Sequence, residues 1–249
     1  MSGHSKWSTI KRKKAATDAA RGKVFTKYIK EITIAARAGG ADPDANPRLR
    51  TAIATAKGVN MPAANIERAV KKGAGGLEGS TYEELSYEGY GPAGFAMLVD
   101  VATDNRNRAS GDVRHIFDKY GGRMAEAGSV AYLFKHTGVI LVDRSAIAED
   151  ALMEIVLEAG AEDVQAEGDS WVVFTRPAAL EPVREALVAK QVPVASAEHA
   201  KLASLQVPLT EREAEQVLRL VDMLEDNDDV QKVHANFVLP DEVLAKLSR

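Results

Sequence analysis

The spacing of apolar positions divides the chain into a helical front and a mixed α/β remainder. Apolar side chains recur every three to four positions across residues 23–38, which predicts an amphipathic helix. Asn46 followed by Pro47 is typical of a helix cap and a first helical position. A third helix is predicted to open at Pro62 and to end before Gly73. These segments predict a small N-terminal helical bundle.

Beyond a glycine-rich linker at 73–80, the pattern alternates between strands and helices. The βαββαβ order across residues 138–203 is that of the ferredoxin-like split motif. We therefore predict an α+β multidomain protein in which a helical bundle precedes two α/β domains, one of them inserted in the other. The predicted boundaries are 1–78 for the basic helical domain, 79–134 with 204–249 for the second domain, and 135–203 for the inserted ferredoxin-like domain. Further predicted elements are strands at 95–103, 129–134 and 229–239, and a short C-terminal helix.

Charge is distributed unevenly between these regions. The chain of 249 residues has a formal net charge of −4. Residues 1–72 contain 16 lysines and arginines against 5 acidic residues, whereas the remainder contains 16 against 31. A basic front joined to an acidic body indicates a polyanion-binding module attached to another part of the molecule.

Other classes of protein find little support in the residues. There is no cysteine, which excludes disulfides and thiolate metal sites and fits a cytoplasmic location. No apolar run reaches the roughly 20 residues that span a bilayer, and a secretory h-region is missing. The five histidines are scattered, and no nucleotide-loop or hydrolase motif occurs. We predict no enzyme, metal, cofactor or small-molecule substrate, and we interpret the acidic run at 226–229 as a solvated helix end that turns into a strand.

The N-terminal cations are the main candidates for binding nucleic acid. Only Asp18 and Glu31 are acidic within the first 41 residues, so pairing along a helix cannot neutralise the basic run. Nucleic-acid phosphates would supply the missing counter-charge, although a charge run is also typical of a solvated surface. The candidate residues are Lys6, Lys11, Arg12, Lys13, Lys14, Arg21, Lys23, Lys27, Lys30 and Arg37.

Three aromatic residues and two arginines are further candidates. Trp7 is either a core anchor or a stacking surface for a base. Tyr87 and Tyr90 fall in a predicted Gly/Pro-rich turn, where they either stack on a ligand or pin the loop to the body. Arg106 and Arg108 fall at a predicted helix N-terminus, where backbone N–H groups favour an anion. A bound phosphate would explain that placement, and so would pairing with acidic neighbours.

The chain also contains a set of longer motifs. They are GHSKW near the start, RGKVFTKYIKEI, GGADPDANPRLR, NMPAANIERAVKKG, YEGYGP, TDNRNR, GGRMAEAGSVAYLF and LVDMLEDNDDV. In combination they resemble the YebC family, which includes the mitochondrial translational activator of cytochrome c oxidase subunit I. The resemblance runs from residue 3 to beyond residue 230, with local departures at KRKK and GPAGF.

The resemblance implies three domains, with the third inserted in the second, and a cytoplasmic, non-enzymatic role in gene expression. It implies a DNA-binding transcriptional regulator or, alternatively, a ribosome-associated translation factor that binds ribosomal RNA and helps with proline-rich stretches. A protein-interaction scaffold is a third hypothesis. The helix at 23–38 carries lysines rather than base-reading side chains, which favours binding through shape and charge. We predict a nucleic-acid-binding regulator of gene expression.

Overall fold

The computed structural model describes residues 18–76, 81–240 and 242–243, with side chains from residue 22 onward. Within these ranges no helix is both long and apolar enough to cross a membrane. The helices are α1 Asp18–Gly39, α2 Pro47–Gly58, α3 Ala63–Gly73, α4 Arg106–Lys119, α5 Glu149–Glu158, α6 Leu180–Ala189 and α7 Glu211–Glu225. The strands are β1 Glu83–Tyr90, β2 Ala96–Thr103, β3 Arg123–Met124, β4 Phe134–Asp143, β5 Ala161–Glu167, β6 Ser170–Thr175, β7 Val194–Ala203, β8 Val207–Pro208, β9 Val230–Ala235 and β10 Phe237–Val238.

The chain folds into two compact units. The first contains the described residues up to Phe134 together with the described residues from Ala203 onward, and the second is Lys135–Leu202. Each has its own apolar core. The fold is therefore a mixed α+β arrangement with N-terminal helices and two separate antiparallel sheet regions.

The first unit begins with three packed helices, and α1 contacts both α2 and α3. Ile32, Leu49 and Ile66, one from each helix, are buried in their shared core. The predicted cap is confirmed, because the Asn46 side chain accepts a hydrogen bond from the Leu49 N–H at 3.1 Å and Pro47 opens α2. Helix α1 includes Asp18, which lies five residues before the predicted start at residue 23.

The sheet of the first unit has the strand order β3-β1-β2-β9, with every neighbouring pair antiparallel. Helices α4 and α7 cover one face, where Val99, Phe117 and Leu220 are fully buried. The predicted strand at 229–239 is broken at Asn236, whose side chain accepts a hydrogen bond from the Ala96 N–H. Beyond it, β10 pairs in parallel with β8.

Two local predictions in this region were wrong. Tyr87 and Tyr90 do not lie in a turn but in strand β1, and the turn begins only at Gly91. In the sequence alone, the glycines and the proline of this segment suggest a turn over its whole length. Residues 129–134 do not form a strand, because 131–133 make a single 3₁₀ turn and β4 begins at Phe134. Such turns are common connectors, and a six-residue apolar pattern cannot distinguish one from a strand.

The second unit contains a four-stranded sheet in the order β5-β6-β4-β7. Strand β6 pairs antiparallel with both β4 and β5. Helices α5 and α6 pack against the sheet through a core that includes Leu152, Val173 and Leu187. The predicted order of elements, βαββαβ, is the order found in this unit.

Close packing of α1 against α3 leads to a first prediction. A Cβ atom at Gly73 would overlap the Thr33 carbonyl oxygen and the Ala36 methyl group, whereas no atom lies within 4 Å of the corresponding position at Gly111. Gly73→Ala is expected to lower the free energy of unfolding by about 1–3 kcal/mol, as overpacking does. Gly111→Ala, in the interior of α4, is expected to raise it by about 0.5–1 kcal/mol through helix propensity. Urea denaturation of both variants checks this, and equal effects would contradict it.

Candidate nucleic-acid interface

Most of the predicted N-terminal cations, including the basic arm at residues 6–14, lie outside the described residues. Nothing in the structure bears on Lys6, Trp7, Lys11, Arg12, Lys13 and Lys14, or on the side chain of Arg21. Their role in binding nucleic acid remains a prediction. The lysines of α1, in contrast, are described from residue 23 onward.

Lys30 is buried, with 6% of its surface exposed. Its ammonium group donates hydrogen bonds to Asp229 Oδ1 at 2.7 Å, to the Asp228 carbonyl oxygen at 2.8 Å and to the Ala102 carbonyl oxygen at 3.0 Å. These three bonds use all three ammonium protons. The expectation that α1 exposes its lysine stripe (Lys23, Lys27 and Lys30) to a ligand is therefore wrong for Lys30. This lysine instead joins α1 to the rest of the first unit.

The other lysines of α1 contact the same acidic turn, which we define as residues 225–229. Lys27 donates to the Glu225 carbonyl oxygen at 2.7 Å. Lys23 forms an ion pair with Asp226 at 3.3 Å, in which both side chains are about half exposed. The stripe thus has intramolecular partners along its length. The interpretation of this turn as solvated is wrong at Asp229, which is only 5% exposed.

Asp229 gathers partners from three elements of the first unit. Besides Lys30, its carboxylate accepts hydrogen bonds from Thr103 Oγ1 at 3.0 Å and from Arg108 Nη2 at 2.8 Å. Burial alone raises the pKa of this carboxyl, but the hydrogen bonds from Lys30, Arg108 and Thr103 outweigh burial, and the pKa lies below its ordinary value. The group is an anion in the folded protein at neutral pH.

The two arginines at the start of α4 have different surroundings. Asn105 caps the helix by accepting from the Arg108 N–H at 3.0 Å. Arg108 bridges Asp104 and Asp229, each at 2.8 Å. The sequence leaves two explanations open for Arg108, a bound phosphate or pairing with acidic neighbours. The structure shows pairing with acidic neighbours. Arg106 is exposed, and its carbonyl oxygen accepts from the Tyr87 hydroxyl at 3.4 Å.

Tyr87 and Tyr90 are both partly buried on β1. Tyr87 packs against the main core of the first unit. The Tyr90 hydroxyl donates to the Ser129 carbonyl oxygen at 3.3 Å, and the Arg123 guanidinium covers its ring at 5.1 Å from the centroid. These contacts agree with the hypothesis that the two tyrosines attach neighbouring segments to the core of the first unit.

One further arginine, which no sequence pattern singled out, also joins α2 to other elements. Arg48 contacts Glu31 of α1 at 2.8 Å and Glu84 of β1 at 2.6 Å. No linear motif marks it, because its two partners lie 17 and 36 residues away. Three of the front's cations, Lys23, Lys30 and Arg48, therefore form ion pairs within the molecule.

Some cations remain exposed on the described part of the first unit. They lie mainly near helix ends, where a cation also stabilises the last turn. None of them forms an ion pair with another described residue: Arg37, Lys57, Arg68, Lys71 and Arg106. Among the predicted α1 cations whose side chains are described, Arg37 alone belongs to this group. In the described ranges, no cluster of histidine, aspartate or glutamate could hold a metal ion.

Two family models match almost the whole chain. The model described as the TACO1/YebC protein N-terminal domain matches residues 5–76. The model described as the TACO1/YebC second and third domain matches residues 82–237. The break between them falls at the glycine-rich segment that the sequence marks as a linker.

Individual relatives match over nearly their full length. A protein of Desulfatibacillum aliphaticivorans named "Probable transcriptional regulatory protein" is 56% identical over 99% of this chain and 100% of its own. A protein of Desulfosudis oleivorans with the same name is 57% identical over 98% and 99%. The crystal structure of a conserved hypothetical protein from Aquifex aeolicus is 48% identical and superposes with a TM-score of 0.83, covering 91% of this chain and 94% of that one.

The buried position of Lys30 leads to a second prediction. Lys30→Met is expected to lower the free energy of unfolding by about 3–5 kcal/mol, because it leaves the Asp229 carboxylate buried without its main cation. Lys23→Met removes an exposed pair and is expected to cost less than about 1 kcal/mol. Urea denaturation at neutral pH measures both, and a Lys30 variant as stable as the Lys23 variant would show that the pair contributes no stability.

The lowered pKa of Asp229 leads to a third prediction. Its stabilising contribution is complete above the unfolded-state pKa of about 3.9 and is lost as the pH falls through the lower folded-state value. Asp229→Asn cannot ionise, so the stability gap between wild type and variant is expected to narrow as the pH falls below about 4. Denaturation curves across acidic pH measure the gap, with Asp226→Asn as the exposed control. A gap that stays constant would contradict the lowered pKa.

Proposed function

Because this chain belongs to the TACO1/YebC family, we propose that it is a transcriptional regulator that acts by binding DNA. The observation that carries the proposal is the name shared by relatives that are more than half identical over nearly the whole chain, "Probable transcriptional regulatory protein". The uneven charge supports it independently, since residues 1–72 are strongly basic in a chain that is acidic overall.

The contacts of the first unit limit which cations would bind phosphate. Lys30 is fully engaged with Asp229, so we exclude it from the interface, and Lys23 and Lys27 would have to exchange their present partners. The remaining candidates are the arm at residues 6–14, Arg21 and the exposed Arg37. We propose that these residues bind the DNA backbone, with counterion release as the driving force.

Such contacts position a protein on DNA without reading its sequence. Few of the described polar side chains of α1 are exposed, among them Lys23 and Arg37, so this helix offers no obvious base-reading surface. We therefore propose that the protein recognises shape and charge and that selectivity depends on the deformability of the DNA.

We also propose the finer architecture and setting of the molecule. The βαββαβ order and the strand order β5-β6-β4-β7 support a ferredoxin-like domain inserted into a second α/β domain, behind a separate basic helical domain. The proposed boundaries remain 1–78, 79–134 with 204–249, and 135–203. We propose a non-enzymatic, cytoplasmic protein that works without a cofactor. The alternative of a ribosome-associated translation factor finds no support in the names of these relatives.

Charge reversal in the arm tests the proposal. The double variant Lys13→Glu/Lys14→Glu is expected to weaken binding to duplex DNA. It should also reduce the slope of log affinity against log salt by about 1.8, if each lysine neutralises one phosphate. Fluorescence anisotropy across a salt series measures both quantities. The matched control is Arg176→Glu/Lys190→Glu, which changes the net charge equally at two exposed positions of the second unit.

Three outcomes would contradict the proposal in different ways. An unchanged salt slope would show that the arm does not contact phosphate. Equal effects of the two double variants would show that only overall charge matters. Tighter binding to a structured RNA than to duplex DNA at equal salt, together with co-migration with ribosomal subunits after DNase treatment, would favour the translation alternative instead.

A further inference from the structure

A buried carboxylate holds the loop that leads from β3 to β4. Glu88 is 7% exposed, and its two carboxylate oxygens accept hydrogen bonds from the backbone N–H groups of Gly128 at 2.6 Å, Val130 at 2.6 Å and Ala131 at 2.8 Å. Burial alone raises the pKa of Glu88, but these three bonds outweigh it and the pKa lies below its ordinary value. The loop therefore closes around a fixed negative charge.

The same loop is anchored at further points. Val130 and Phe134 are buried against Ala96 and Leu98, on the face of the sheet opposite α4 and α7. The Leu133 carbonyl oxygen accepts hydrogen bonds at 2.8 Å from both the backbone N–H and the hydroxyl of Ser204. The loop is thus tied to the sheet on one side and to the segment after β7 on the other.

Two large apolar side chains point into solvent from this rigid support. Tyr132 is 76% exposed and Leu205 is 65% exposed, which are the highest values among the large hydrophobic residues of the described ranges. They flank the bonded pair of Leu133 and Ser204, so they lie on adjacent backbone segments. Because the loop is held by buried groups, the exposure of Tyr132 is a feature of the folded structure rather than of a frayed end.

We infer that Tyr132, with Leu205 beside it, is a platform on which an unpaired nucleobase stacks. Two such side chains present a few hundred Å² at most, well below the roughly 800 Å² that each partner buries in a stable protein interface. The face of one base is of the right size. Because hydrogen bonds hold the backbone that carries the ring, binding costs little backbone conformational entropy, and this favours stacking. The inference rests on the proposed function. It adds that the protein recognises a particular feature of the nucleic acid, a base that has left the helix.

A cation is connected to the same loop through Tyr90. The Tyr90 hydroxyl bonds to Ser129 of the same loop, and the exposed Arg123 guanidinium covers the Tyr90 ring at 5.1 Å. The charge of Arg123 would attract the phosphate next to the stacked base, because the residue is exposed and a guanidinium binds phosphate oxygens well. Neither Tyr132 nor Arg123 belongs to the basic arm, so the two parts of the interface can be separated by mutation.

The test compares three probes: a short single-stranded DNA, the fully paired duplex of that sequence, and the duplex with one additional unpaired base. Tyr132→Ala is expected to weaken binding to the two probes with unpaired bases by about 5- to 100-fold and to leave the paired duplex unchanged. Tyr132→Phe should retain the affinity, since the ring is kept. Arg123→Gln should weaken binding to the two probes that contain an unpaired base, and it should reduce the salt slope by about 0.9 on the duplex with the unpaired base and by about 0.7 on the single strand. Met223→Ala, which removes another exposed apolar side chain, is the control.

Each outcome decides between distinct statements. Failure of the wild-type protein to bind any probe would overturn the proposed function and this inference together. Wild-type binding that Tyr132→Ala does not weaken on any probe would overturn the inference alone and would leave the patch to a protein partner. An equal loss on paired and unpaired probes would also contradict base stacking. Thermal unfolding of the Tyr132 variants shows whether any loss of affinity reflects misfolding. Substitution of an exposed side chain should not cause misfolding.

Discussion

The ion pair between Lys30 and Asp229 is the contact on which the arrangement of the first unit depends. Two opposite charges, 2.7 Å apart and almost fully buried, are stable only while every proton and lone pair is satisfied. The ammonium meets this condition through Asp229 and two carbonyl oxygens, and the carboxylate through Thr103 and Arg108. Any displacement of α1 from the end of β2 would leave charges buried without partners, so the pair fixes where the helical front lies on the sheet.

This contact changes how many cations of the basic front, residues 1–72, can be expected to bind a ligand. Counted along the chain, its cations form an uncompensated run that indicates polyanion binding. In the fold, Lys23, Lys27 and Lys30 face the acidic turn, and Arg48 bridges two glutamates. A net charge therefore overstates the number of cations available to a ligand. The part of the front that is left for DNA is the arm together with exposed helix ends such as Arg37.

A second buried carboxylate acts by the same principle on a different partner. Glu88 has no cation beside it in the described contacts and is satisfied by three backbone N–H groups, so it organises a loop rather than an interface between helices. In both cases a lowered pKa accompanies burial, because hydrogen bonds to the charged form outweigh desolvation. One carboxylate positions a helix, and the other presents Tyr132.

Local patterns in the sequence were enough to predict the elements whose causes are local. The Asn46 cap, the glycine-rich break and the βαββαβ order all follow from residues within a few positions of each other. The partners of Lys30 could not be predicted in this way, since Asp229 lies 199 residues away. The exposure of Tyr132 could not be predicted from the sequence. In the predicted strand, Val130, Tyr132 and Phe134 would share one face. In the structure, a 3₁₀ turn separates them, so that Val130 and Phe134 are buried and Tyr132 is exposed. The sequence by itself determined most of the helices and strands and where charge accumulates. Only the tertiary structure decided which charges and rings stay free, because burial and pairing depend on contacts between distant segments.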